Sequence, residues 1–494
     1  MNVKTIISAL LLLLFSHKLE AEITLPKILG HNMVLQRDKP VSIWGFASPG
    51  EEVSVTFHNQ TKKITADASG NWKITLEPLP TSSTPSTLTI SGSNTIRLNN
   101  ILVGEVWFCS GQSNMEYTMR KNSKVVKADS SKNSPIDELQ RANNAAIRIF
   151  LINNKNLRKP DPNHSGWSIA RDSALRSFSA AAYFFAKELY DKLHVPIGVI
   201  AAAMPGSPIE PFLYGTITSD LQTAAGRNNM TVDETHPGKF YPNMIEPVAP
   251  LAISGFLWYQ GETNCFQNES IAYTYKMKAL IDGWRKLWID ESLPFYYVQI
   301  APFYYSKSAG KYPLTKETLP KFREAQTLAL HIPNTGMVVT TDLVKTPDDL
   351  HPGFKWEVGR RLALIALAKT YGKSVVYSGP VYQQMRKRKG AIELEFAHTG
   401  SGLISKEGKP LSQFEIVGAD GKFFPAKAVI KGNKVIVSSP AVSSPVDVRF
   451  EWNEAGHANL YNKEGLPAVP FRTDNPFRFD NNIVSLHQKL GKDQ

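Results

Sequence analysis

Cysteine is nearly absent from this chain: two in 494 residues, Cys109 and Cys265. Two are too few for a disulfide framework, and both read as buried small hydrophobes. Long apolar runs are scarce as well. Beyond Ile6 to Phe15, no stretch approaches the ~18 apolar residues a membrane span needs, so the chain is read as not membrane-spanning. Acidic charge is in the minority, 44 Asp and Glu against 56 Lys and Arg, and a basic balance favours anionic partners. The basic residues are dispersed, however. Only Arg386-Lys387-Arg388-Lys389 is dense, and it reads as a solvated turn before a strand, so nucleic acid is not an expected partner. No Cys/His cluster has metal-ligand spacing, so neither a metal nor another cofactor is expected. Internal repeats are lacking too.

What is present begins with a targeting pattern. Lys4 precedes the apolar Ile6 to Phe15, and Leu19-Glu20-Ala21 offers a cleavage site. Residues 1–21 therefore read as a secretory signal peptide, which implies a periplasmic or secreted protein. Residues 22–100 alternate apolar and polar in short stretches, among them Val41 to Trp44, Glu52 to Phe57, Trp72 to Leu76 and Thr87 to Ile90. Pro49-Gly50 and Ser69-Gly70-Asn71 separate some of them, which predicts a small β-sandwich.

From Ile101 the pattern changes to strands alternating with amphipathic helices, the mark of a mostly parallel α/β sheet. Helices are predicted over Phe178 to Leu193, Ile271 to Leu287, Lys321 to Leu330 and Trp356 to Lys369. Strands are predicted at Val106 to Cys109, Pro196 to Ile200, Gly255 to Tyr259, Phe295 to Ile300 and Gly336 to Thr341. After about residue 374 the period returns to two, through Ala391 to Phe396, Lys434 to Val437 and Val446 to Phe450. The expected organisation is thus a core over 101–374, a C-terminal β-domain over 375–480 and a polar tail over 481–494.

In an open α/β sheet, ligands bind beyond the carboxyl ends of the strands. Four such ends carry glycine or polar punctuation: Ser113 in Gly111-Gln112-Ser113-Asn114, Gly206, Gly261 to Asn264, and Asp348 to His351. By themselves these residues fit two readings. Ser113 could simply cap a strand-to-helix turn, or the set could be a nucleophile, an oxyanion hole and a base with its orienter. His351 follows an acid at a strand end. His164, His194, His236 and His331 lie in the same region without one.

These motifs together resemble the SGNH-type hydrolases, most closely the sialate O-acetylesterases. The first block matches Gly111-Gln112-Ser113-Asn114, the second Gly206, the third Gly261-Glu262-Thr263-Asn264 and the fifth Asp348-Asp349-Leu350-His351. His31 to Gln36, Trp258 to Glu262 and the stretch from Asn459-Leu460-Tyr461-Asn462 to Pro470-Phe471 extend the likeness over nearly the whole chain. The second block departs from it, with Pro205-Gly206-Ser207-Pro208 where a Gly-Gly-Thr-like turn is expected.

The resemblance implies an SGNH-type (flavodoxin-like) three-layer parallel-sheet hydrolase core flanked by N-terminal and C-terminal β-sandwich-like domains. It implies a serine esterase that removes O-acetyl groups from sialic acids and needs no cofactor. Carried over, Ser113 is the nucleophile and His351 the base. Asp348 is its orienter, in preference to Asp349 or a backbone carbonyl. Ser113, Gly206 and Asn264 form the oxyanion hole. Gln112, Glu262 and Arg323 frame the site or bind substrate, as do Glu210 and Gln326, and Arg323 is the candidate partner for a sugar carboxylate. An acetyl esterase for xylan or another glycan is the alternative of the same class. A non-catalytic glycan-binding protein is the alternative of another.

Overall fold

The apolar run before Ser113 is the second half of a 17-residue strand, β1 (Thr95–Gly111). The structure, a computed structural model, describes residues 22–125, 138–152, 166–214 and 238–476. Five further strands lie parallel to the second half of β1 in the core: β2 (Ile147–Leu151), β3 (Ile197–Ala203), β4 (Gly255–Tyr259), β5 (Phe295–Val298) and β6 (Thr335–Val338). Their order is β6-β5-β4-β1-β3-β2, and every neighbouring pair is parallel. A two-residue antiparallel edge, Ser168–Ile169, lies outside β2. Without the additional β2, the order is that of a flavodoxin-like doubly wound sheet, in which the chain reverses direction across the sheet beside its first strand. The loops after β1 and β4 therefore lie together, and both carry motif residues.

These strands are buried on both faces, which is why they read as continuous apolar runs. Alternate side chains of β1 go to opposite layers. Val106 and Phe108 join the cluster of Phe256 and Trp284, while Trp107 and Cys109 join that of Phe185 and Leu189. Trp107 meets Phe185 edge-on, with ring centroids 5.0 Å apart. Five helices matter to the site. They are α1 (Ser113–Glu116), α2 (Ala180–Leu193), α3 (Glu262–Phe266), α4 (Ile271–Trp288) and α5 (Thr318–Leu328). A sixth, α6 (Lys355–Lys369), packs on α2 through Gly359. A Cβ at Gly359 would lie 2.7 Å from Ala181 O and Phe184 Cβ, so only glycine lets the two helices approach this closely.

The boundary expected between residues 100 and 101 falls inside β1. The beginning of that strand pairs antiparallel with Ser82–Ser91, and its end, from Glu105 to Gly111, pairs with β3 and β4. One strand thus runs from the N-terminal β-structure into the core sheet, and Val41, Ile43 and Phe108 share one apolar cluster. Elsewhere in the N-terminal region, Val41–Phe46 pairs with Asn71–Leu76, and Glu52–Phe57 with Gln60–Thr65. Toward the C-terminus, two four-stranded antiparallel sheets enclose a separate core. The Arg386-to-Lys389 tetrad is not a turn before a strand. Its first three residues end the strand Val381–Arg388, where Arg386 pairs with Glu395 and Arg388 with Glu393.

The C-terminal sheets are joined to α5 by Arg472–Glu324 at 2.8 Å and Arg449–Glu317 at 3.3 Å. Cys109 and Cys265 are free and buried. Among the described residues no helix is long and apolar enough to cross a membrane. The expected signal peptide and polar tail, with His164 and His236, lie outside the described residues.

Candidate active site

Ser113 is placed by a glycine that nothing larger could replace. β1 ends at Gly111 with φ +138°, and a Cβ there would lie 2.2 Å from Tyr259 O, at the end of β4. The next residue fastens the turn: Gln112 N–H donates to Tyr259 O at 3.0 Å. Gln112 Oε1 accepts from the Gly261 and Thr263 N–H groups at 3.3 and 3.4 Å. α1 starts at once, so the chain turns sharply and Ser113 stands half-buried at the carboxyl edge of the sheet.

His351 arrives on the loop between β6 and α6, and its Nε2 lies 2.8 Å from Ser113 Oγ. Two residues 238 positions apart therefore share a hydrogen bond. Burial lowers the imidazole pKa from its ordinary value, and the charges of Lys355 and Lys121 lower it further against the opposing charge of Asp349. A neutral imidazole beside a hydroxyl is the state that can accept its proton.

The acid singled out by spacing is not on that imidazole. Asp348 is exposed and makes no hydrogen bond to His351 among the described residues. Asp349 is the acid that meets this residue, and it takes the backbone: its Oδ1 accepts from His351 N–H at 2.8 Å. A carboxylate two residues back reaches its neighbour's amide as an Asx turn does. The expected Asp348 contact is corrected accordingly.

The expected oxyanion donors divide. Gly206 sits in the turn after β3 with φ +71°, and neither its N–H nor that of Ser113 has a partner among the described residues. Asn264 is fully buried, and its amide is already occupied. Nδ2 donates to Glu210 and Glu269, each at 3.2 Å, and Oδ1 accepts from Gln260 Nε2 and Ile209 N–H. Lys276, buried between Glu210 and Glu269, completes that network. Asn264 thus anchors the α3 turn and has no free amide proton to offer.

Arg323 is not in the site either. It is 1% exposed on α5, donates through Nε to Ile300 O at 3.0 Å, and lies beside the buried Glu451 of the C-terminal sheets. It cannot meet a sugar carboxylate there. Gln326 is likewise interior, with Oε1 accepting from Ile300 N–H and Nε2 donating to Val298 O. Glu262 and Gln112 do frame the site: Glu262 accepts from Asn114 Nδ2, and Gln112 fixes the α3 turn.

The described residues contain no group of three or more His, Cys, Asp or Glu arranged to hold a metal ion.

Residues 103–368 match the family described as carbohydrate esterase, sialic acid-specific acetylesterase. The chain belongs to this family. It is an esterase. The human sialate O-acetylesterase is 27% identical to it, with 90% of this chain and 91% of that one covered. The mouse sialate O-acetylesterase is 26% identical, covering 89% and 92%. Among solved structures, a carbohydrate acetylesterase from Xanthomonas citri superposes with a TM-score of 0.80 at 35% identity, covering 92% of this chain and all of that one.

Two groups in this esterase escaped the sequence reading. One is Asn114 with Lys355, a fully buried lysine at the first position of α6. The other is Lys276 with Glu269, where Lys276 also pairs with the Glu210 already expected to frame the site. A buried lysine leaves little trace in hydropathy. The one cue was its spacing, four residues after His351.

Proposed function

We propose that this esterase removes O-acetyl groups from sialic acids through an acetyl-Ser113 intermediate. Ser113 Oγ attacks the acetyl carbonyl while His351 Nε2 takes its proton. The oxyanion is met by the Ser113 and Gly206 N–H groups, with the Gln112 amide beside them. As the tetrahedral adduct collapses, His351 returns the proton to the departing sugar oxygen. Water then attacks the acetyl-enzyme, giving its proton to His351, and acetate leaves with Ser113 restored. The observation that carries this reading is the 2.8 Å separation of Ser113 Oγ and His351 Nε2.

The sugar assignment is supported by the family and by the names of its mammalian relatives. With Arg323 buried elsewhere, the carboxylate of a sialic acid falls to Lys121, a half-exposed cation that lies 3.5 Å from Glu116 and whose charge reaches His351. Residues 1–21 support export, which would bring the esterase to extracellular or periplasmic glycans.

A second reading, an acetyl esterase for xylan or another neutral glycan, is favoured by the interior position of Arg323 and by the Xanthomonas citri carbohydrate acetylesterase. Acetate release from O-acetylated sialic acid beside acetylated xylan separates the two. Faster turnover of the sialate, with kcat/KM falling as salt rises to ~0.1 M while p-nitrophenyl acetate is unaffected, supports the first. Faster xylan turnover, with matching salt curves, supports the second.

A further inference from the structure

Lys355 Nζ is fully buried and donates to Asn114 Oδ1 at 2.7 Å and to Pro352 O at 2.8 Å. Asn114 directly follows Ser113, and Pro352 directly follows His351. Asn114 Nδ2 in turn donates to Leu350 O, on the other side of His351, at 3.1 Å and to Glu262 on α3. The segments carrying Ser113 and His351 are thus tied by two side chains that touch neither reacting atom. The Tyr117 and Tyr259 rings flank the ammonium, with centroids at 4.9 and 5.0 Å. No carboxylate among the described residues lies within ion-pair distance of Nζ. Glu262 and Asp349 act on it only from farther off, as does the like charge of Lys121. An ammonium buried without an ion-pair partner is costly to the fold, and hydrophobic packing at such a position is often no less stable.

We propose that Lys355 is a positioning residue whose buried ammonium, through Asn114, holds the Ser113 turn and the His351 loop at the separation that proton transfer needs. This rests on Ser113 and His351 being nucleophile and base. The physical case is that the Ser–His contact joins two loops distant in sequence, and no carboxylate among the described residues holds the imidazole ring. Something else must fix the ring relative to the hydroxyl, and the Lys355–Asn114 pair bonds to the residues on both sides of it. The ammonium also acts on the base itself. Its charge opposes protonation of His351, together with that of Lys121 and against that of Asp349. Burial brings Lys355 down to about 7, with Glu262 and Asp349 opposing.

The test is K355M, a substitution of similar length, assayed with p-nitrophenyl acetate beside S113A. The expected result is a fall in kcat of roughly 10- to 100-fold with KM within about threefold, as for a misplaced reacting pair. The acid limb of the kcat/KM profile should move to higher pH, because a charge opposing His351 protonation has gone. The thermal midpoint should stay near that of the wild type. A lysine needed only for folding would lower the midpoint and leave the limb in place. N114A carries the same test without touching the charge: kcat should fall while the limb stays put, which keeps the proposal open to refutation if K355M does not fold. Folded K355M with kcat within about twofold of wild type, or with an unmoved limb, overturns the inference. So does N114A with wild-type kcat. If S113A is inactive in those assays, the proposed chemistry survives that failure. If S113A is active, the chemistry falls and this inference with it.

Discussion

Asp349 Oδ1 accepts a hydrogen bond from the backbone N–H of His351, so the acid nearest the base braces its main chain and not its ring. The His351 loop is thus held by a carboxylate at its backbone, while the imidazole faces Ser113. This differs from a triad, in which a buried carboxylate fixes the ring's tautomer and its loss costs up to about 10⁴ in rate.

The first expectation concerns these two acids. D349N should lower kcat by a few-fold to roughly tenfold, and D348N should remain close to wild type. The charge of Asp349 also raises the pKa of His351, so D349N should move the acid limb of kcat/KM to lower pH. In the wild type that limb should already lie below the ordinary histidine value of about 6.5, since burial and two nearby cations outweigh that charge. Steady-state profiles of the three proteins check the order. A loss of several hundredfold in D348N alone would restore the triad.

Asn264 provides the second. Its amide protons go to Glu210 and Glu269, so N264A should lower the thermal midpoint of a folded protein more than Q112A does. Q112A should lower kcat more than it lowers stability. Melting curves beside kcat for the two variants decide it, and the reverse pattern would return Asn264 to the oxyanion hole.

The turns carrying Ser113 and Gly206 were legible in sequence because a strand end leaves local marks, while the roles expected of them and of His351 came from the family resemblance. An apolar run long enough for a buried strand breaks into glycine and small polar residues, and the sheet topology brings those ends together. Asp348 and Asp349 could not be separated this way, since one residue of turn conformation decides which carboxylate meets the loop. Arg323, Lys355 and Glu451 are interior charges. Their surroundings come from segments far apart in sequence, and periodicity says nothing about which ionic group is covered. The strand Ile147–Leu151 is not among those expected from the sequence, and Arg148 interrupts its apolar pattern. That arginine is buried and reaches Ala145 O and the side chains of Asn32 and Asn100. The boundary expected between residues 100 and 101 falls within β1, where Asn100 takes a positive φ of 63° without ending the strand.

Arg323 gives the third expectation. Because it sits inside the protein beside Glu451, R323M should change thermal stability. The ratio of kcat/KM for an acetylated sialic acid to that for p-nitrophenyl acetate should stay unchanged. Kinetics with both esters, paired with a melt, checks it. A selective loss of the sialate activity would place the guanidinium in the substrate pocket after all.

Glu451 makes a pH-dependent contribution at the contact between the core and the C-terminal sheets. Burial raises its carboxyl to about 8, with Arg323 opposing. An acid whose folded pKa lies above its unfolded value of about 4.3 supports the fold while protonated. That support is complete below the unfolded pKa and fades as pH rises through the folded one. E451Q, permanently neutral, should therefore gain on the wild type in thermal midpoint between about pH 5 and pH 8.5. Parallel melting curves across that window would contradict the assignment.

The central claim is that Ser113 carries the acetyl group with His351 as its base, and kcat/KM of S113A for p-nitrophenyl acetate tests it most directly. Removing the nucleophile of a serine–histidine unit costs on the order of 10⁶ in turnover where it has been dissected, and S113A should fall toward that scale with its melting curve intact. Activity of folded S113A within about tenfold of the wild type would contradict the account.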